Sequence, residues 1–257
     1  MSARLAGLAA WAVVGFLLAP LVAIIGASFT ETPYAAFPPV GFTLRWYGVL
    51  LHRQDVLGSV GVSVLVAVLC TVAATALGVP AAVGLRRHGN AAVQALLVSP
   101  LVLPTVVTGV ALLQFYTLIG LDAPFAGLVA AHVVITVPYV VRTVGAGLAR
   151  LDPALEEAAE TLGAGPARVL LRVTLPAVSP SILAAVVFVF VTSFDQATVS
   201  IFLSGPDLVP LPVRLLNAIE FAVDPSIAAV STLLILAAFG LVALLQRLLR
   251  LDRAFGG

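Results

Sequence analysis

The 257-residue sequence contains no lysine; all thirteen of its basic residues are arginine. That absence excludes a phosphate loop of the G-x-x-x-x-G-K-[ST] kind, whose lysine reaches the nucleotide phosphates. The chain does not hold ATP in that manner, so energy for uphill work comes from a partner or an ion gradient. Charge of either sign is scarce: 10% of residues are charged, against about 25% in a soluble domain. The single cysteine, Cys70, lies inside an apolar run, which excludes a disulfide framework and a cysteine-built zinc site. A net charge of +1 gives no footprint for a nucleic-acid partner.

What fills the chain instead is apolar: 61% of residues are hydrophobic. Such a chain is an integral membrane protein with the bilayer as its main solvent. A bilayer core takes about 20 apolar residues in a helix. The runs that qualify are Leu5–Phe29, Leu57–Leu85, Ala91–Ile119, Phe125–Ala149, Pro180–Leu203 and Ser226–Leu245. The first is too long for a signal-peptide core and is read as a helix. Ser179-Pro180 and Asp224-Pro225 each read as an N-cap followed by proline at the first helical position. With the N-terminus in the cytoplasm, Arg4, Arg86, Arg87, Arg142, Arg150, Arg168, Arg172, Arg247, Arg250 and Arg253 fall on the inner side. Arg45, Arg53 and Arg214 fall outside. Ten of thirteen arginines inside is the positive-inside bias that sets orientation. Trp11, Trp46 and Tyr47 read as interface anchors. Arg142 reads as a side chain snorkelling to the headgroups. His52, His88 and His132 fall in an outer loop, an inner loop and a span, and read as unrelated surface and packing residues.

Charge concentrates between the fourth and fifth spans, in the stretch EEAAETLGAGPARVLLRVTLP at residues 156–176. Asp152 is placed as an N-cap, with Pro153 at the first helical position. At 100° per residue, Leu155, Ala158, Ala159 and Leu162 share one face, and Glu156, Glu157, Glu160 and Thr161 the other. Gly163 and Gly165 stop this helix. Pro166 starts a second short helix carrying Arg168 and Arg172, which Leu175-Pro176 ends. An acidic helix does not suit the negative cytoplasmic leaflet. Its alanine-rich face allows another surface to come close.

The stretch resembles the cytoplasmic signature loop of binding-protein-dependent ABC importer permeases: E-A-A, three residues, G, nine residues, I-x-L-P. Here it reads Glu157-Ala158-Ala159, Gly163, then Val173-Thr174-Leu175-Pro176, with valine in place of isoleucine. Trp46-Tyr47, the run Ser99 to Pro104, Ser204-Gly205-Pro206 and Leu211-Pro212 resemble the polyamine-type branch. The likeness runs from about Pro20 to Leu245.

The resemblance implies an all-α polytopic bundle of about six transmembrane helices with the type I ABC importer permease fold, residues 1–257 forming one permease domain. It implies a bacterial inner-membrane location with both termini cytoplasmic. The partners implied are a second permease in a heterodimer, two cytoplasmic ATPase subunits and an extracytoplasmic solute-binding protein. ATP and Mg belong to the ATPases; this chain binds no cofactor and is a transport subunit without its own ATPase site. The loop 151–176 is then the coupling element, carried by Glu156, Glu157, Ala158, Ala159, Gly163, Arg168, Leu175 and Pro176. Opposing bundles would rock between inward- and outward-facing states as the ATPases close.

A second polar cluster lies within the fifth span: Thr192, Ser193, Asp195, Gln196, Thr198 and Ser200. A carboxylate inside a span costs roughly 2.5–3.5 kcal/mol on insertion scales and usually faces the bundle interior or water. We read Thr192, Asp195, Gln196 and Ser200, with Thr105 and Thr108 of the third span, as a solute path. The alternative is that Asp195 lies at a helix end near the outer interface. The stretch Ser193 to Gln196 resembles permeases for spermidine and putrescine, in which a second acid is expected at the position of Gln196. With Asp195 alone, thiamine-like, opine-like or phosphonate-like solutes stay open beside polyamines. The rival class is an ion-coupled secondary transporter, which is expected to show an internal repeat; none is evident between the two halves. An intramembrane enzyme needs clustered His, Asp, Ser or Cys at matching depth; only Asp195 qualifies, with no histidine expected beside it.

Overall fold

The computed structural model describes residues 3–121, 124–221 and 224–255. The side chains of Arg4, Arg250 and Arg253, counted above toward the inner side, lie outside what is described. In chain order the helices are α1 (Ala3–Ala27), α2 (Arg45–Leu50), α3 (Gln54–His88), α4 (Ala91–Val98), α5 (Thr105–Leu118), α6 (Pro124–Leu148) and α7 (Pro153–Thr161). Then follow α8 (Pro166–Val169), α9 (Leu175–Ala177), α10 (Ser179–Phe194), α11 (Ala197–Leu203), α12 (Leu211–Phe221) and α13 (Pro225–Phe255). A 3-10 turn, Ser99–Leu101, follows α4, and a π-turn, Leu170–Thr174, joins α8 to α9. Among the described residues four helices are long and apolar enough to cross a membrane, and six crossings result if each of two bent pairs counts as one. The expected all-α architecture stands.

The bends have local causes. Ala91–Leu101 and Thr105–Leu118 meet at 101°, where one span over Ala91–Ile119 is expected from sequence. Pro104 has no N–H to continue the ladder and pushes Leu103 out of the helical region. Pro166–Ala177 and Ser179–Phe194 meet at 68°. There the ring of Pro180 excludes the carbonyl of Pro176, four residues back, from the ladder. The hydroxyl of Ser179 donates to that carbonyl instead, at 2.7 Å. Ser179 is therefore the first helical residue, with Val178 at the cap position, and not the N-cap its sequence suggests. Leu175-Pro176 does not end the preceding helix either. The ladder widens so that Leu175 N–H donates to Leu170 O, a π-turn that makes room for the proline ring one residue on.

The fifth span departs furthest from expectation. Pro180–Leu203 reads as one helix, but the structure breaks it at Asp195 and Gln196. Gln196 takes φ −76°, ψ 87°, and Ala197 N–H turns back to Asp195 O at 2.9 Å.

The chain forms two compact units. In the larger, residues 59–213 and 248–257, α6 is central. Its residues Val140, Val144 and Leu148 pack with Cys70, Ala74 and Ala82 of α3 and with Ala185 and Val189 of α10. Farther along, Leu128, Ala131 and Ile135 pack with Val66, Val199 and Leu203. Lipid tails are as apolar as these side chains, so close approach of small residues holds such helices together more than water exclusion does. Gly78 is one such case: a Cβ there would fall 2.6 Å from Val140 Cβ.

The smaller unit holds residues 1–58 and 214–247. Trp46 is buried, its indole N–H donating to Thr30 O at 2.7 Å, and the hydroxyls of Ser28 and Tyr47 lie 2.7 Å apart. These two aromatics thus fasten the 28–44 loop instead of acting as free anchors; Trp11, in contrast, is exposed. Asp224 caps α13 as expected, accepting from Ser226 N–H at 2.8 Å. Arg53 pairs with Asp55 at 2.8 Å and Asp224 at 3.6 Å.

Candidate functional site

Two loci of the larger unit carry the polar chemistry. The first is α7 and its surroundings. Asp152 Oδ1 accepts from Ala154 N–H at 3.0 Å, and Pro153 opens the helix, as the sequence predicts. At the far end Gly163 takes φ +84°. Its N–H donates to Glu160 O at 2.9 Å, and Ala164 N–H donates to Ala159 O at 3.0 Å. This pair of bonds is a Schellman closure, which needs a left-handed residue where glycine sits. Pro166 then begins α8, as expected.

Among the described residues most of the apolar face of α7 is uncovered, Ala159 alone being half-buried. Leu155 is 51% exposed and Leu162 89%, with Ala158 open between them. Glu157, Glu160 and Arg168 are also exposed. Glu156 differs. Its carboxylate pairs with Arg86 at the end of α3, 2.9 Å away, and accepts the Thr174 hydroxyl from the π-turn. Of the residues assigned to coupling by sequence, Glu156 is thus engaged inside the chain, while Glu157, Ala158 and Arg168 face outward. Leu175 is half-buried and Pro176 exposed. Beside this locus, Arg86, Gln94 and Arg142 help to line a cleft of about 380 Å³; Arg142 is exposed.

The second locus is the break between α10 and α11. Asp195 is exposed and Thr192 and Gln196 are half-exposed, while Ser193 and Ser200 are buried. Helix α5 packs on α11, with Gly109 against Phe202. Thr108 is buried, its hydroxyl donating to Pro104 O at 3.4 Å, and Thr105 is exposed. The polar cluster therefore divides. Asp195, Gln196, Thr192 and Thr105 retain exposed surface; Ser200 is consumed inside.

What consumes it is His132 of α6, which the sequence reading left unconnected. The ring is 2% exposed. Its Nδ1 lies 2.8 Å from Ser193 Oγ and its Nε2 3.0 Å from Ser200 Oγ. Histidine 61 and 68 positions away from these serines offers no local pattern to detect. The available signal was its depth: a titratable ring in an apolar span needs partners, and the fifth span was the one polar enough to supply them. Among the described residues no three His, Cys, Asp or Glu side chains gather as a metal site.

Residues 74–251 match the family described as "Binding-protein-dependent transport system inner membrane component", and the chain belongs to that family. It is a multi-pass membrane permease component of a transport system that works with a separate binding protein. The chain is 33% identical over 237 residues to the putrescine transport system permease protein PotI of Escherichia coli strain K12, covering 88% of this chain and 84% of the relative. It is 30% identical over 242 residues to the spermidine/putrescine transport system permease protein PotC of the same strain, covering 93% and 91%. A chain of a bacterial alginate ABC transporter, crystallised with an alginate-loaded periplasmic protein, has a TM-score of 0.71 at 16% identity over 98% of this chain and 93% of that one. The last likeness speaks for the fold, that of ABC importer permeases. The membership inferred from the E-A-A loop is borne out, and nothing in these relatives supports an ion-coupled transporter.

Proposed function

We propose that this chain is one permease domain of an importer for a small organic cation, polyamine first, handed over by an extracytoplasmic binding protein and driven by two ATPase subunits that hold ATP and Mg. The observation that carries the path is Asp195 on a broken helix. An irregular backbone at membrane depth is tolerated only where protein buries it or water lines it. The sixteen residues of α10 take the chain about 24 Å from the end that carries α7, within a core of about 30 Å. An exposed carboxylate there does not face lipid, so it faces a water-filled path or a second subunit. The relatives named for putrescine and spermidine support a cationic solute, which such a carboxylate favours in low dielectric.

The open apolar face of α7, rimmed by Glu157 and Arg168, supports docking into an ATPase groove on the cytoplasmic side, with both termini on that same side. The second permease is a different chain in this reading, completing the path opposite Asp195. Thr105, Thr192 and Gln196 are the further lining groups; Thr108 and Ser200 stand behind them.

The test is binding by the cognate solute-binding protein against polyamines, thiamine-like, opine-like and phosphonate-like compounds. Saturable polyamine binding is expected. Tight binding of an anion, with no response to polyamines, would remove the cation reading. On the chain itself, Asp195→Asn should slow polyamine uptake while the ATPases still co-purify.

A further inference from the structure

The break at Asp195 and Gln196 contains neither proline nor glycine, so nothing in its own sequence obliges the helix to stop there. The side chain that meets both of its edges is His132. Hydrogen-bond accounting fixes how. Ser200 Oγ donates its one proton to Gln196 O, so toward the ring it only accepts, and His132 Nε2 must carry the proton. In the neutral ring Nδ1 is then the bare nitrogen and accepts from the Ser193 hydroxyl. Burial favours this neutral form over the charged one, and both nitrogens are used, one on each side of the break. Its own helix is secured in turn. Thr136 donates to His132 O at 2.7 Å, and Cys70 Sγ lies 3.2 Å from Thr136 Oγ1. His132, Ser193, Ser200, Thr136 and Cys70 are each at most 2% exposed.

We propose that His132 is a positioning residue, a clasp that joins α10 to α11 across the break and so sets the direction in which Asp195 and Gln196 are presented. The clasp rests on the reading of the break as part of the solute path only for its effect on transport, not for its existence. Losing either bond leaves a buried polar atom unpaired and frees one half of the helix from the other. Ser193 then acts through the ring, so its effect and that of His132 are not independent.

The experiment uses the assembled transporter in lipid nanodiscs. His132→Leu is expected to lower solute moved per ATP hydrolysed by about tenfold, with the chain still inserted and the ATPases bound. Ser193→Ala added to His132→Leu should cost nothing further, because contacting groups in one network couple. His132→Gln, which keeps an amide donor for Ser200, should recover part of the loss. In ¹⁵N-histidine spectra the signal lost on His132→Gln should report a neutral ring protonated on Nε2 between pH 5.5 and 8, roughly the range in which a free imidazole would titrate. Losses that multiply independently, or a ring that titrates in that range or carries its proton on Nδ1, would overturn the clasp. The two readings fail differently. If Asp195→Asn leaves uptake unchanged while the histidine–serine coupling persists, the path reading falls and the clasp stands. If Asp195→Asn slows uptake and the coupling is absent, the reverse holds.

Discussion

Glu156 accepts from Arg86 and Thr174, while Glu157, its neighbour in the chain, keeps its carboxylate exposed. Their substitutions should therefore fail in different ways. Arg86→Glu strands Glu156 among like charge in a half-buried setting, and should lower the stability of the purified transporter by about 1–2 kcal/mol. The exchange Arg86→Glu with Glu156→Arg should restore most of it, read as the midpoint of thermal unfolding in detergent. Under the proposed docking, Glu157→Lys should leave that midpoint unchanged and abolish transport, because it would set like charges together at the ATPase groove. Normal solute-stimulated ATPase activity in Glu157→Lys would exclude the docking role. Sequence spacing grouped the two glutamates on one face, and it had no means of separating them. Their difference comes from the ends of α3 and the π-turn, 70 and 18 residues away.

Among the elements, α7 was the most legible. Asp152, Pro153 and Gly163 are local signals whose physics acts within a turn, and each sits where that physics requires. Gly163 donates an N–H to Glu160 O from a left-handed conformation. Gly163→Ala should cost about 1 kcal/mol, and Gly163→Pro, which removes the N–H and fixes φ near −65°, should abolish coupled transport with insertion intact. The measurement is ATPase co-purification beside solute uptake. The Pro104 bend was half legible, since proline marks a break without giving its angle. The break at Asp195 was not legible, because its partner is a ring on another helix. Helix contacts follow the same divide. Gly78 lies unremarked in an apolar run, yet Val140 leaves no space for a side chain there. Gly78→Val should sharply reduce membrane abundance on immunoblots, whereas Gly84→Val, which meets nothing within 4 Å, should not.

For the whole molecule, orientation decides which partners meet which surface. In the proposed orientation α7 and both termini lie in the cytoplasm; a reporter fused after Gly257 should then be active only as a cytoplasmic marker, and α7 should be protected from proteases added outside intact cells. A periplasmic signal from that fusion would invert the assignment of α7 to the ATPases. Fold class and family were readable from composition and one spaced motif, because a bilayer restricts what can span it and the motif is long. The division of the fifth span into a buried set and an exposed set needed the structure.

The double attachment of Glu156 also has a mechanical meaning. One carboxylate fastens α7 to the end of α3 and, through Thr174, to the segment that leads into α10. A force applied at α7 is thereby shared between two load-bearing rods and is not spent in stretching a slack connector. Such a joint transmits tension as well as compression. Loosening it with Thr174→Val should leave the ATPases bound and turning over while displacement at the far ends of the rods lags behind, a loss of stiffness measurable as wider inter-spin distance distributions between α7 and α10.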